Sequence, residues 1–501
     1  MPWSSRSGRL RGEGFRLQLQ GDESPILSRR SSRHLLVVWV VALTSAIVSG
    51  LLLHLRGAPD IDLWLHLRIG DELRAGASFQ GGHDPLVVLA DRPYVPTQWL
   101  AEVVGSVAHD LGGLTAILWL RFLALVSLTV VVYLVARLDA GPRRAALAAV
   151  LGVVATSAAW GERPQLAGAV LEAVTLWLWS RCRRRGTTPW AVVPLFWLWA
   201  CVHGTWIIGL LTGELFSLLI VVDARWRLPR RRSLRLLAVH LLSLVAVAVT
   251  PLGPGLLLEP FKVNEVARAT VNEWQPPAPG NPLMLLVLLM ASAVLASVPL
   301  QRRRWRESLG HLLLVSAGIA LAVYSVRTIA FAGMLLVPAL AAAFGPRATL
   351  RDPVRPRELL PWLAAAVVLA VMPGVLLGVD TRPPIASGIS SGLDALPAGS
   401  PVVVDVRVSG WVLHAHPRLR PLRDLRAEVY SPATAHAYEA FMKGEPGWRQ
   451  YADDHQVRAM LLGVGAPLAP LLSGDGWQVV ASDTTYELWI PRGQALSGQL
   501  R

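Results

Sequence analysis

Along the first three quarters of the chain, apolar residues come in long unbroken runs separated by short charged segments. Many of these runs approach the ~20 residues needed to cross a ~30 Å hydrocarbon core. The pattern predicts spans at 35–55, 114–136, 145–160, 164–181, 190–203, 204–222, 235–251, 282–300, 309–326, 328–344 and 359–378. That makes about eleven membrane helices. The tightest connection is His203-Gly204, between the fifth and sixth spans.

Three segments break the pattern. Residues 1–33 are Arg-, Gly- and Ser-rich and read as a disordered cytoplasmic tail. Residues 56–112 form a long polar loop with an interfacial helix over Leu63–Gly70, a turn at Gly81-Gly82, and a second helix beginning at Trp99-Leu100-Ala101-Glu102-Val103-Val104. Residues 380–501 follow a Pro-rich linker and read as a small α/β domain. Its strands are expected at 401–405, 456–462, 477–481 and 486–490, and its helices at 432–442 and 447–454. The Val and Leu runs suit a buried sheet.

Composition agrees with a polytopic membrane protein: 53% of residues are hydrophobic and mean hydropathy is +0.44. The net charge of +14 comes almost wholly from Arg. The Arg clusters fall in alternate loops, as the positive-inside rule requires, with the N-terminus cytoplasmic and the C-terminal domain outside. Arg between apolar runs suits anionic lipid rather than nucleic acid, so no nucleic-acid partner is expected. The two cysteines, Cys182 in a basic loop and Cys201 in an apolar run, provide no disulfide framework. The first apolar run is as long as a span and lacks a small-residue cleavage site, so it reads as a span rather than a cleaved signal.

With this topology, unusual polar residues fall at one membrane face. Asp60, Asp62, Trp64 and His66 open the long loop, and Glu102 lies near its far end. Glu162 and Arg163 form a hairpin, His203 a tight turn, and Lys262, Glu273 and Trp274 a later loop. Arg327 stands between two apolar runs. Each has a plainer reading. The two aspartates can cap the following helix. Glu162 and Arg163 can pair with each other, and His203 can be a packing residue. Arg327 can snorkel, and Trp274 can anchor at the interface. Together they offer a carboxylate base for an acceptor hydroxyl, cations for phosphate and indoles for a sugar face.

The motif order resembles the GT-C superfamily of integral membrane glycosyltransferases, and more narrowly a branch of bacterial polytopic proteins related to it. The resemblance rests on five elements: Asp60-Ile61-Asp62-Leu63-Trp64-Leu65-His66, Arg163-Pro164-Gln165, Trp199-Ala200-Cys201-Val202-His203-Gly204, Glu273-Trp274 and Asp424-Leu425-Arg426-Ala427-Glu428-Val429-Tyr430. It departs where relatives often have His-Glu-Trp, since this chain has Thr97-Gln98-Trp99. The implied fold is an all-α polytopic membrane domain over 34–379 with a small C-terminal α/β extracytoplasmic domain. The implied activity is inverting hexosyl or pentosyl transfer on the outer face of a bacterial inner membrane. The donor is a polyprenyl-phosphate-linked sugar, and the acceptor an envelope glycan, lipid or protein.

In that reading Asp62 or Asp60 is the base. Arg327, Arg163 and Lys262 hold the donor phosphate. Trp64, His66, Glu102, Glu162, His203, Glu273 and Trp274 contact substrate. Some members bind a divalent metal, Mg or Mn, at such acids, and others act without one. Two further readings stay open. A transporter or flippase would use ionisable residues inside the spans, of which Glu172, Glu214 and His240 are the main ones. A non-catalytic scaffold would account for Gln98.

Overall fold

The computed structural model describes residues 37–42, 44, 60–79, 84–300, 305–343, 354–377 and 383–493. The expected tail, most of the first span and the Gly81-Gly82 turn lie outside these residues. A helix stands at every expected span from 114–136 onward. Among the described residues, four helices are long and apolar enough to cross a membrane: Trp99–Arg137, Trp206–Asp223, Pro282–Pro299 and Val326–Ala343. Val192–Val202 and Ser308–Tyr324 are apolar but shorter.

The first described helix of the long loop, α1 (Leu63–Arg74), buries Leu63, Leu65, Leu67 and Ile69. Alternate burial on a helix means two buried faces, because residues two apart point to opposite sides. Leu63 and Leu67 pack with Ile117 of α2 (Trp99–Arg137), whereas Leu65 and Ile69 join the core of the C-terminal domain. Glycines permit both approaches. A Cβ on Gly70 would lie 2.2 Å from the Glu102 carbonyl oxygen, and one on Gly410 would lie 3.0 Å from the Leu65 amide nitrogen. The expected interfacial helix is therefore clamped between the bundle and the C-terminal domain.

The loop helix expected from Trp99 and the span expected at 114–136 prove to be two limbs of α2. Gly112 and Gly113 break its helical geometry, and Gly113 sits at φ 58°, which favours glycine. The bundle continues with α3 (Pro142–Ala155), α4 (Pro164–Arg185), α5 (Val192–Val202), α6 (Trp206–Asp223) and α7 (Arg230–Ala248). A short helix that sequence patterning did not suggest, α8 (Glu259–Thr270), precedes α9 (Pro282–Leu300), α10 (Trp305–Tyr324), α11 (Ile329–Ala343) and α12 (Pro356–Leu377). Nearly every residue of α11 is buried, which places it at the bundle centre. Small residues let α3 and α11 approach closely: a Cβ on Gly333 would lie 2.3 Å from that of Ala155.

The C-terminal region folds as an α/β unit with a five-stranded sheet in the order β2-β1-β3-β5-β4. The strands are β1 (Pro401–Val404), β2 (Arg420–Pro421), β3 (Ala459–Gly463), β4 (Trp477–Ser482) and β5 (Tyr486–Pro491). β1 pairs in parallel with β2 and β3, while β5 runs antiparallel to β3 and β4. All of β3 is buried, which explains its unalternated Ala-Met-Leu-Leu-Gly sequence. The helices Pro432–Met442 and Trp448–Asp454 stand where patterning put them. Helices Ser387–Asp394, Val406–Ala415 and Ala469–Gly474 and the two-residue β2 were not anticipated.

The long loop belongs to this C-terminal unit's core. Phe79, Leu86, Val87, Leu89 and Tyr94 pack with Val403, Leu422 and Tyr430 among others. The amides of Val88 and Leu89 donate to the carbonyls of Pro421 and Leu422, each at 3.1 Å. The Asp424-x-Arg426-x-x-x-Tyr430 element is the bolt. The Arg426 guanidinium takes Asp84 in a bidentate pair at 2.8 and 2.9 Å and Asp424 at 2.7 Å, and lies 4.8 Å from the Tyr94 ring centroid. Tyr430 closes the unit by donating to Asp424 at 2.9 Å.

Removing the cation would leave two buried carboxylates uncompensated. Arg426→Met should therefore destabilise the protein by about 3–5 kcal/mol. The check is thermal unfolding of the purified protein, and an unchanged midpoint would show that the bolt carries no load.

Candidate active site

The site forms where the N-terminus of α1, the hairpin before α4, the turn before α6 and the loop after α8 meet. Arg163 is its centre. Its Nε lies 2.7 Å from Asp60 Oδ2, and its Nη1 lies 3.1 Å from Asp62 Oδ2 and 3.2 Å from both carboxylate oxygens of Glu273. Three acids on two segments remote in sequence thus converge on one guanidinium. The sequence allows Glu162 and Arg163 to pair with each other. Instead Glu162 takes Arg121 of α2 as its ion partner and accepts the Asp60 amide at 3.2 Å. Arg121 went unnoticed in the sequence. A lone Arg inside the apolar run 114–136 was the available signal.

Local geometry explains how the acids fit. Asp60 Oδ1 accepts the Asp62 amide at 3.1 Å, and the Asp60 carbonyl accepts the Leu63 amide at 3.0 Å, opening α1. Asp62 occupies the N-cap position but makes no side-chain capping bond, so its carboxylate is free for Arg163. Gly161 supplies the space, because a Cβ there would lie 2.6 Å from Asp60 Oδ2.

Burial raises the Asp62 carboxyl above its ordinary range. Arg163 and His66 oppose the rise, and the charges on Asp60 and Glu273 add to it. One turn further along α1, His66 Nδ1 lies 3.0 Å from Glu102 Oε1. Burial alone would depress this imidazolium, but the hydrogen bond and charge of Glu102, with Asp62, outweigh it and raise His66. Glu102 itself is 1% exposed, and among the described residues its Oε2 has no hydrogen-bond partner.

The Trp199-x-x-x-His203-Gly204 element sets one tautomer. The Thr205 amide points at His203 Nδ1 at 3.2 Å, with the Thr205 hydroxyl 2.8 Å away. Trp199 Nε1 donates to that hydroxyl oxygen at 3.1 Å. Nδ1 therefore accepts, and the neutral ring carries its proton on Nε2. Burial holds His203 well below the usual histidine range, with the positive charges of Arg327 and His66 adding to it.

Arg327 stacks over Trp274, 5.1 Å from the ring centroid. Among the described residues it has no ion pair or hydrogen bond, and its Nε is buried without a partner. The Glu273 charge attracts it. Arg163 and Asp62 also act on it electrostatically, so this cation belongs to the same cluster.

Beside the cluster opens a cavity of about 360 Å³. Its walls are mostly apolar, including Leu63, Leu67, Leu100, Ile117, Leu120 and Leu166. Its charged members are His66, Glu102, Arg121, Glu162 and Arg163.

Two expected site residues stand apart. Lys262 bonds Glu259 at 2.6 Å with its side chain 64% exposed, and adds no contact to the cluster among the described residues. Trp64 packs between α2 and the C-terminal unit, 5.2 Å from the His414 ring and 6.1 Å from that of His109. The acids are also a poor fit for Mg or Mn. The Arg163 guanidinium already occupies the space between Asp60, Asp62 and Glu273. Among the described residues no group of three His, Cys, Asp or Glu could hold a metal ion.

No protein-family model matches the chain, and no curated protein does. Solved structures do match. The apo oligosaccharyltransferase of Archaeoglobus fulgidus aligns with a TM-score of 0.54 at 13% identity, over 88% of this chain and 70% of the archaeal one. The same enzyme tethered through a disulfide to an acceptor peptide containing the NVT sequon gives 0.53 at 13% identity over the same shares. The chain thus shares its overall fold with that oligosaccharyltransferase.

The electrostatics carry a testable sign. Because the Asp62 pKa is raised in the folded state, its ionised form is destabilising above that pKa, and the cost vanishes as pH falls through it. Asp62→Asn should therefore raise the unfolding temperature at neutral pH, with the gain shrinking on acidification. A lower unfolding temperature at neutral pH would show that Arg163 outweighs burial.

Proposed function

We propose that the protein transfers a sugar from a polyprenyl-phosphate donor to an envelope acceptor at the outer face of a bacterial inner membrane. The observation that carries this reading is the juxtaposition of an apolar cavity, a half-buried Asp62 whose carboxyl is raised above its ordinary range, and the stacked Arg327, unpaired among the described residues. The lipid tail lies in the cavity and the phosphosugar reaches toward the cluster. Asp62, oriented through Arg163, takes the proton from the acceptor hydroxyl as its oxygen bonds the anomeric carbon. The bond from that carbon to the phosphate oxygen breaks, and the lipid phosphate leaves with inversion. Arg327 and the Nε2 proton of His203 receive the charge that develops on the phosphate.

A raised pKa suits this assignment, since a base is most effective when its pKa approaches the working pH. Asp60 has a supporting part: it holds Arg163 and the start of α1. Glu273 completes the ring around Arg163, and Trp274 provides a face for Arg327 or for sugar. Glu102, one helical turn beyond Gln98, places a carboxylate on His66. The departure at Gln98 therefore leaves an acid at this end of α2.

Transfer should fall about 10²–10⁴-fold in Asp62→Asn and about 10²–10³-fold in Arg327→Ala. The assay is radiolabelled sugar transferred from a polyprenyl-phosphate donor in membranes expressing each variant at matched levels. Wild-type transfer by Asp62→Asn, or by the double Asp60→Asn and Asp62→Asn chain, would remove the base assignment.

A further inference from the structure

Away from the site, one carboxylate stands where lipid would be expected. Glu214 lies halfway along the 18-residue α6, one of the helices able to cross a membrane, and its side chain is 60% exposed. Around it the surface is apolar: Leu211 and Leu218 on the same face of α6, and Leu237 and Leu241 on α7, are all exposed. Its one ion partner among the described residues is His240, whose Nδ1 is 3.4 Å from Oε1. His240 is itself fixed from behind, with Nε2 2.9 Å from the Ser217 hydroxyl and its ring stacked on Trp179 at 5.0 Å. The imidazole is thus committed inward, and the carboxylate faces outward. Hydrocarbon can neither solvate nor hydrogen-bond it.

We infer that the α6–α7 face is a docking surface for a transmembrane helix of another polypeptide, bearing a basic side chain at mid-depth opposite Glu214. Charge complementarity selects this occupant. The patch holds an acid and no exposed base, so a second copy of this chain docking through the same face would set carboxylate against carboxylate. A basic residue on an apolar helix would pair with Glu214, while its leucines cover the flanking stripe. Such polar contacts hold membrane helices together where apolar surface alone gives no driving force. This inference does not depend on the catalytic reading, since the face is built from other helices.

The test uses the full chain in lipid vesicles with labelled oligo-leucine transmembrane peptides, one with a single central Lys and one with leucine throughout. Energy transfer between labelled protein and peptide reports binding. The Lys peptide should bind about tenfold more tightly than the all-leucine peptide, and Glu214→Leu should abolish the difference. Equal binding of the two peptides to the unaltered chain would overturn the inference, and that comparison needs no variant. So would self-association of the wild-type chain that Glu214→Leu dissolves, since the occupant would then be a second copy.

Discussion

One guanidinium organises the site. Arg163 lies on a hairpin between two helices, yet it collects acids from the start of α1 and from the loop after α8. Those segments share no backbone pairing with the hairpin among the described residues, so the ionic contacts join them. In bulk water such pairs would contribute little. Here Arg163, Asp60 and Asp62 are mostly shielded from solvent while Glu273 is 43% exposed, so the attractions are stronger than in bulk water. The same burial explains why Asp62 keeps a raised pKa beside an arginine: three acids share one positive charge.

The C-terminal unit holds the start of α1 in place from the other side. α1 carries Asp62 and His66, and it is gripped through Gly70 against α2 and through Gly410 against the helix Val406–Ala415. The buried Arg426 network fastens the long loop to the sheet, so the two aspartates cannot drift without opening that core. The short motifs therefore divide the labour. The Asp-x-Asp and Arg-Pro-Gln elements form the charged centre. The Trp-x-x-x-His-Gly element fixes a tautomer. The Asp-x-Arg-x-x-x-Tyr element fastens the scaffold.

Helix placement was legible because membrane spans declare themselves by unbroken apolar length, which a reader can measure without tertiary information. The gathering of Asp60, Asp62, Arg163, Glu273 and Arg327 was also foreseeable, since polar residues set between long apolar runs have few places to go. Which acid pairs with which cation was not. Glu162 and Arg163 are neighbours in sequence, yet a tight hairpin turns them to different partners, and only the fold shows that. Trp64 misled for a related reason: an indole near acids suggests sugar, but the fold sets its ring against His414 and His109 instead. Lys262 shared the expected face, yet a local i, i+3 partner, Glu259, takes its charge. The integration of loop 84–98 with the sheet was invisible because it rests on pairing more than three hundred residues apart.

The central claim is that Arg163 and Asp62 act as one unit, and a double-mutant cycle measures this directly. Sugar transfer would be compared in the wild-type chain, Arg163→Gln, Asp62→Asn and the double variant. Contact within a shared charged network predicts strong non-additivity, with the second substitution costing almost nothing once the first is made. Losses that simply multiply would contradict the account, because the two residues would then be contributing independently.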